Sequence, residues 1–270
     1  MTRSGGATGR SSTFNTPDKT FDCHGSNKLR TLSFNELQQS GRWQPLSDRL
    51  ISAKSGRTLT ILYISGMQKP STLFFLPGAL GRTEFWHPAA DLLSYPAPKV
   101  HVTWPGFSGI RPDPSIRGID DLVSRIVADI DQPSALIAQS MGGVVAMLVA
   151  LQKPELVTHL VLSVTSGGMN LATLNAQDWR PAIQAGHPGL PDWFTSYHED
   201  LTPKLSALRI PTLLLWGDAD PISPVKVGQR LASLLPNVEL HVFSGGDHSV
   251  GCTLAHLVAP LIDRHLSLRP

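Results

Sequence analysis

Polar residues with complementary chemistry follow three short apolar stretches of the sequence: Ser140, the acids Asp218 and Asp220, and His248. A serine hydroxyl is a weak nucleophile at neutral pH, so it needs a base within hydrogen-bond reach and a third group that orients the base. Histidine and a carboxylate supply those two roles in acyl-transfer chemistry. The sequence therefore predicts a nucleophilic serine site, provided that the fold brings these residues together.

The residues around Ser140 favour a sharp turn between a strand and a helix. The run 134–137 is short and apolar and predicts a buried strand, whereas 143–151 is apolar on all sides and predicts a buried helix. Ala138 and Gly142 lie two residues to either side of the serine and are small enough for such a turn. A serine at the N-cap of an ordinary helix is the alternative explanation of this stretch.

Six short apolar runs predict the strands of a parallel sheet, because helical patterns separate most of them. Two further alternating runs, 49–53 and 59–65, predict a hairpin. We therefore expect an α/β fold whose mostly parallel sheet has eight strands, with helices on both faces. The predicted strands of the parallel part are 72–76, 100–104, 135–138, 160–164, 212–216 and 238–243, and the predicted helices are about 84–94, 119–130, 143–152, 225–235 and 254–266.

The alternation of strands and helices is interrupted over about 166–206. We expect this stretch to be a short lid insertion, because it leaves the sheet at the edge where ligands of open parallel sheets bind. Residues 1–42 have the composition of a largely disordered arm, so the folded domain is expected to span 43–270. The scarcity of acidic residues in the arm also resembles a transit peptide, although the arm lacks an amphipathic pattern.

These motifs resemble those of the α/β-hydrolase fold superfamily over residues 43–269. The stretch 138–142 is similar to the G-x-S-x-G nucleophile elbow, with alanine for the first glycine, and the chain order of serine, acid and histidine is that of the superfamily. The stretch 216–221 resembles the acid turn of these proteins, which implies that Asp220 is the acid, with Asp218 as the alternative. The resemblance favours the serine-nucleophile branch of lidded esterases and C–C hydrolases.

The resemblance also implies two backbone N–H groups that stabilise an oxyanion, those of Met141 and Ala79. The loop 76–81 is similar to the H-G-x loop of the superfamily with Pro77 in place of histidine, and Leu80 is the neighbouring alternative to Ala79. A glycine-rich loop after a strand can instead bind phosphate. Neither G-x-x-x-x-G-K-S/T nor G-x-G-x-x-G occurs in the sequence, so nucleotide binding is not expected.

Large apolar side chains after the oxyanion loop and in the insertion are candidates for a substrate pocket. Packing of the insertion onto the sheet is the alternative explanation for those in the insertion. The candidates are Leu80, Trp86, Trp179, Trp193 and Phe194.

The composition of the 270-residue chain excludes several classes of partner. A net charge of +2, without a dense cluster of Lys and Arg, argues against nucleic acid. No apolar stretch reaches the roughly 20 residues that span a bilayer, and no secretory signal is evident, so we expect a cytoplasmic protein. Cys23 and Cys252 are expected to be free thiols, and neither a metal site nor a cofactor is predicted.

We expect a carboxylesterase-like serine hydrolase (EC 3.1.1) that cleaves a small ester, thioester or related acyl compound in a mostly apolar pocket. Its predicted partner is that small-molecule acyl substrate. The same residues are compatible with a C–C bond hydrolase, a lyase or an acyltransferase. They are also compatible with a ligand-sensing protein of slow or no turnover.

Overall fold

The computed structural model describes residues 50–55, 58–63, 68–174, 176–191, 193 and 195–268. The chain divides into two compact units, residues 1–64 and residues 65–270. The predicted N-terminal arm and Cys23 lie outside the described residues.

The described part of the first unit is a hairpin of two antiparallel strands, β1 (Leu50–Ser55) and β2 (Thr58–Tyr63). These strands form a two-stranded sheet of their own. The alternating pattern predicted the hairpin. Alternation shows which side chains of a strand share a face, but it does not show which other strand pairs with it in a sheet. The eight predicted strands are therefore divided between this hairpin and a main sheet of six.

The second unit is built on a six-stranded sheet in the order β4-β3-β5-β6-β7-β8. All neighbouring strands are parallel, so the chain must return across a face of the sheet between strands. The predicted α/β class with a mostly parallel sheet is confirmed. The strands are β3 (Thr72–Leu76), β4 (Lys99–His101), β5 (Ser134–Gln139), β6 (Val157–Ser163), β7 (Thr212–Gly217) and β8 (Val238–Phe243).

Helices cover both faces of this sheet, as its double-sided burial requires. A short 3-10 turn at Thr83–Trp86 precedes the first of them. The α-helices of the described residues are α1 (His87–Leu92), α2 (Ile119–Asp129), α3 (Met141–Gln152), α4 (Arg180–Gly186), α5 (Thr202–Leu205), α6 (Val225–Leu234), α7 (Val250–Thr253) and α8 (Ala255–Ser267).

The period-2 alternation of the strands produces two apolar layers. In β5, Leu136 and Ala138 belong to the layer that α2, α3 and α6 cover, whereas Ala135 and Ile137 belong to the layer that α1 and α8 cover. Strand β5 is thus buried on both faces, which explains its continuous apolar run. Helix α3 is buried along most of its length, which explains why it is apolar all round.

The three candidate residues meet at one edge of the sheet. Ser140 directly follows β5, while Asp220 and His248 lie in the loops after β7 and β8. The segment between β6 and β7 starts from the same edge and contains α4 and α5, and its described residues include no strand. We call residues 166–206 of this segment the insertion.

Candidate active site

Ser140 occupies a strained turn between β5 and α3. Its backbone has φ 52° and ψ −120°, and a non-glycine residue with positive φ costs about 1–3 kcal/mol. At Gly142, a Cβ would lie 2.3 Å from the Pro77 carbonyl oxygen and 2.8 Å from that of Leu76. The backbone of the loop after β3 therefore requires glycine here, which is the steric reason for a small residue beside the serine.

The side chains of Ser140, His248 and Asp220 lie in one hydrogen-bonded series. His248 Nε2 is 3.0 Å from Ser140 Oγ, and His248 Nδ1 is 2.7 Å from Asp220 Oδ2. A carboxylate can only accept, so Nδ1–H donates to Asp220 and Nε2 is left to accept the serine proton. The Asp220 side chain is fully buried, whereas that of His248 is 22% exposed. The histidine is thus held from behind and remains open towards a substrate.

The structure places Asp220, and not Asp218, against His248. The other oxygen of Asp220, Oδ1, accepts the N–H groups of Ile222 at 2.8 Å and Ser223 at 3.1 Å, which fixes the carboxylate. Asp218 Oδ1 instead accepts the N–H of Gly245 at 2.6 Å. Asp218 therefore joins the loops after β7 and β8 and does not contact the histidine ring.

Two glycines that the sequence analysis did not single out allow these loops to approach each other. A Cβ at Gly217 would lie 2.1 Å from the Gly246 carbonyl oxygen. The same carbonyl accepts the Ala219 N–H at 2.9 Å. Each glycine is visible in the sequence, but their mutual contact is a tertiary feature without a local signal.

Gln139, immediately before the serine, is a further residue that sequence reasoning missed. Its side chain is buried, and Nε2 donates to the His248 carbonyl at 3.4 Å. Its Oε1 lies against Gly78, where a Cβ would be only 2.1 Å away. Gln139 thus contacts both the loop after β3 and the loop that carries the histidine.

The backbone groups predicted to bind an oxyanion lie at the start of α3 and in the loop after β3. Met141 is the first residue of α3, and the first N–H groups of a helix have no carbonyl partner within it. Ala79 lies in a turn that the Gly81 N–H closes on the Gly78 carbonyl at 3.0 Å. Trp104 Nε1 donates to the same carbonyl at 2.8 Å, which holds the loop. The oxyanion role of these two N–H groups stays a prediction.

A cavity of about 450 Å³ opens beside Ser140 and His248. Its lining from the sheet and its helices is apolar, and Val144 and Val164 belong to it. The insertion supplies mainly polar side chains, so the prediction of a mostly apolar pocket was wrong. The polar residues from the insertion include Asn170, Gln177, Asp178, Arg180, Tyr197 and Glu199.

Two models of known families match the chain. A model described as "Alpha/beta hydrolase family" matches residues 73–175, and one described as "alpha/beta hydrolase fold" matches residues 197–252. The first stretch contains the candidate serine, and the second contains the candidate acid and histidine. The chain belongs to the α/β-hydrolase superfamily.

Relatives within this superfamily have diverse names. The chain is 37% identical over 54 residues to a non-heme chloroperoxidase of Kitasatospora aureofaciens, which covers 20% of each chain. It is 26% identical over 254 residues to a 2-hydroxy-6-oxononadienedioate/2-hydroxy-6-oxononatrienedioate hydrolase of Escherichia coli, covering 72% of this chain and 86% of that protein. In four curated relatives the match spans only 17% to 59% of the protein's length.

Solved structures of the superfamily share the fold. An esterase from Exiguobacterium antarcticum superimposes with a TM-score of 0.62 at 15% sequence identity, covering 74% of this chain and 93% of that chain. At this level of identity, the likeness supports the α/β-hydrolase fold and leaves the substrate open.

In this α/β hydrolase, only some of the predicted pocket residues line the cavity. Trp179 does so. The prediction for Trp86 was wrong, because this side chain is fully buried in the layer covered by α1 and α8, where its indole N–H donates to the Leu76 carbonyl at 3.0 Å. The sequence does not show on which face of the sheet a side chain after the β3 loop packs.

The other predicted pocket residues divide in the same way. Trp193 packs edge-on against Phe107, with ring centroids 5.6 Å apart, and does not line the cavity. Leu80 does not line it either; its carbonyl accepts the Ser108 hydroxyl at 2.9 Å. Phe194 lies outside the described residues. For Trp193, the alternative of packing the insertion onto the sheet is the one that the structure supports.

Charged side chains in the insertion wall are compensated by neighbours. Arg180 lies 3.4 Å from Asp178, and Lys204 lies 2.6 Å from Glu199. Tyr197 donates its hydroxyl to Glu199 at 3.2 Å, and burial, reinforced by the charge of Glu199, raises the pKa of the phenol. Tyr197 is therefore neutral at physiological pH. This wall offers hydrogen-bonding groups more than net charge.

Within the described residues, no group of three or more His, Cys, Asp or Glu side chains is arranged to hold a metal ion. No helix in that part of the chain is long and apolar enough to cross a membrane. Cys252 is a free, partly buried thiol.

Proposed function

We propose that this chain is a serine hydrolase that cleaves a small ester, thioester or related acyl compound. The observation that carries the proposal is the hydrogen-bonded series from Asp220 through His248 to Ser140, with distances of 2.7 Å and 3.0 Å, at a cavity large enough for a small substrate. A serine so placed has both the base and the orienting acid that its activation requires.

In the first half of the reaction, Ser140 Oγ attacks the carbonyl carbon of the substrate while His248 Nε2 takes the serine proton. Asp220 stabilises the imidazolium through its hydrogen bond to Nδ1–H. The carbonyl oxygen becomes an oxyanion that accepts the N–H groups of Met141 and Ala79, each such donor contributing roughly 3 kcal/mol in the transition state.

In the second half, the tetrahedral intermediate collapses and its bond to the leaving group breaks. His248 Nε2–H gives its proton to that group, and an acyl ester remains on Ser140. Water then attacks this ester while His248 takes a proton from the water. Release of the acid restores the serine hydroxyl, so each proton taken by the histidine is returned.

The composition of the cavity wall narrows the substrate class. A volume of about 450 Å³ lies in the lower half of the usual range for small-molecule sites. Apolar residues such as Val144 and Val164 suit an apolar acyl portion, whereas Asn170, Gln177 and Tyr197 offer hydrogen bonds. We propose a small acyl compound with both an apolar portion and hydrogen-bonding groups.

Hydrolysis of a C–C bond is the second candidate. The observation that favours it is the similarity to the Escherichia coli hydrolase, which covers 86% of that protein. The polar insertion wall is compatible with an oxygen-rich substrate of that kind. The same serine, base and acid would serve, because the bond broken lies next to a carbonyl in both reactions.

A comparison of the wild-type chain with Ser140→Ala tests the proposal. The assay uses p-nitrophenyl esters from acetate to decanoate and a vinylogous 1,5-diketone acid as the C–C substrate. We expect saturable hydrolysis by the wild type that Ser140→Ala abolishes. The substrate class with the larger kcat/KM, ester or C–C, identifies the bond that the protein cleaves. Ser233→Ala is the control, since this exposed serine of α6 only donates to the Arg230 carbonyl. Equal turnover by Ser140→Ala and the wild type would contradict the proposal.

A further inference from the structure

The backbone at Val164, the first residue after β6, is in an unusual conformation. Its φ is 45°, and the only other non-glycine residues with positive φ among the described residues are Ser108 and Ser140. Branching at Cβ makes valine especially unfavourable in this region. Strained residues persist where the surrounding structure holds them in place, and they cluster at functional sites.

The sheet places this residue next to the candidate nucleophile. Strands β5 and β6 are neighbours, and Gln139 is paired with Ser163 in their register. Ser140 and Val164 each follow one residue of this pair, so they lie side by side at the ends of adjacent strands. The Ser140 N–H donates to the Ser163 carbonyl at 2.9 Å. The Val164 N–H donates to the Leu215 carbonyl at 3.1 Å, so β7 holds the strained residue from the other side.

Val164 contributes apolar volume where the cavity approaches Ser140. It is almost fully buried, lines the cavity and belongs to the same apolar cluster as Met141 and Val144. The next residue, Thr165, packs against α3 at Gly143, where a Cβ would lie 2.5 Å from the threonine hydroxyl oxygen. The chain thus turns at residue 164 so that one side chain borders the cavity and the next supports α3.

We propose that Val164 determines how long an apolar acyl group the cavity accepts beside Ser140. The inference rests on the proposed function, because it concerns the substrate of that same site. Glycine would adopt this backbone conformation without strain. Compared with glycine, valine at position 164 adds an apolar side chain to the cavity lining. This side chain shortens the space available to an acyl chain.

The test measures the ratio of kcat/KM for p-nitrophenyl octanoate to that for p-nitrophenyl acetate. Val164→Ala removes two methyl groups and should raise this ratio about fifteenfold, since each of two further buried methylenes of the substrate is worth about a factor of four. Val161→Ala is the matched control, because Val161 is a buried valine of β6, three residues before Val164, and belongs to the layer on the other face. The control should lower the stability and leave the ratio unchanged.

Val164→Gly provides a second variant that also removes the backbone strain, and it should shift the ratio in the same direction. An unchanged ratio in either variant, with hydrolysis that still depends on Ser140, overturns the inference and leaves the proposed function standing.

A binding measurement separates the inference from turnover. In a Ser140→Ala background, straight-chain 2-alkanones from butanone to decanone are titrated by ligand-observed NMR, with and without Val164→Ala. A shift of the preferred length by one or two carbons supports the inference even if no ester is hydrolysed. The same preference in both proteins, or no binding of any alkanone, overturns it.

Discussion

The edge of the sheet that carries Ser140, Asp220 and His248 is built differently from the insertion wall of the cavity. At the edge, backbone hydrogen bonds and close glycine contacts fix each group, as at Gly142 and Gly217. In the insertion, short helices and turns are joined largely through side chains, such as Arg180 with Asp178 and Lys204 with Glu199. We expect the edge to set the reaction, and the insertion, together with Val164 beside the serine, to set the substrate. Variants at the edge should affect kcat, and variants in the insertion should affect KM.

The largest expected effect separates two neighbouring acids at the edge. Asp220→Asn should lower kcat by about 10⁴-fold, because an amide favours the wrong histidine tautomer. Asp218→Asn should lower it by less than about tenfold, since it alters only one hydrogen bond to the Gly245 N–H. Steady-state kinetics with one ester measures both variants. Equal losses of kcat would show that the acid is wrongly assigned.

Two buried histidines that do not line the cavity test whether the stability and the activity of the protein can be changed separately. His159 and His265 are buried, with ring centroids 5.1 Å apart. Burial lowers the pKa of each ring to about 4. The unfolded state, with histidine pKa values of about 6.5, then binds more protons between pH 4 and 6.5, so stability falls as the pH falls through this window.

The free energy of unfolding should fall by on the order of 3 kcal/mol per histidine once the histidines of the unfolded chain are fully protonated. Urea denaturation at pH 7 and pH 4.5 measures it, and His159→Leu should show a smaller difference between the two. Ester hydrolysis by this variant at pH 7 should match the wild type. If the free energy of unfolding of His159→Leu depends on pH as in the wild type, then His159 does not contribute to the loss of stability at low pH.

A smaller effect is expected where the edge meets the loop after β3. Gly142→Ala should lower the free energy of unfolding by about 1–3 kcal/mol and also reduce kcat, because the new Cβ displaces the loop carbonyls. Gly186→Ala, at the end of α4 in the insertion, is the matched control, since a Cβ at that position would have no atom within 4 Å. If urea midpoints and kcat of the two variants are alike, the close contact at the turn is not what constrains it.

The smallest expected effect lies in the insertion wall. Tyr197→Phe removes the hydrogen bond to Glu199 and should raise KM up to about fivefold with kcat unchanged. Tyr95→Phe is the control, because its hydroxyl donates to the Pro70 carbonyl and does not line the cavity. A fall in kcat without a change in KM would break the division between edge and insertion.

The same contrast explains what the sequence alone can predict. Strand ends and the small residue at 142 are local patterns, and the order of serine, acid and histidine is visible along the chain, so all three could be predicted from the sequence alone. The contact between Gly217 and Gly246 joins the end of β7 to the loop after β8. The contacts of Gln139 join the loop after β3 to the loop that carries His248, so neither feature has a local signal. The partners of the hairpin strands were likewise not encoded in their alternation.

The pocket was the least predictable part because the insertion has no periodic pattern. Aromatic residue type favoured Trp86 and Trp179 equally, yet one is buried on the far face and the other lines the cavity. The polar character of the wall depends on which side chains of an irregular segment turn inward. Such packing is decided by tertiary contacts and not by residue type.

Covalent labelling with a fluorophosphonate, followed by intact-mass analysis and peptide mapping, tests directly whether Ser140 is the nucleophile. We expect a single adduct on Ser140 that is absent from Ser140→Ala, while thermal melting shows that the variant is folded. An adduct on another residue, or equal labelling of Ser140→Ala, would contradict this assignment of the nucleophile.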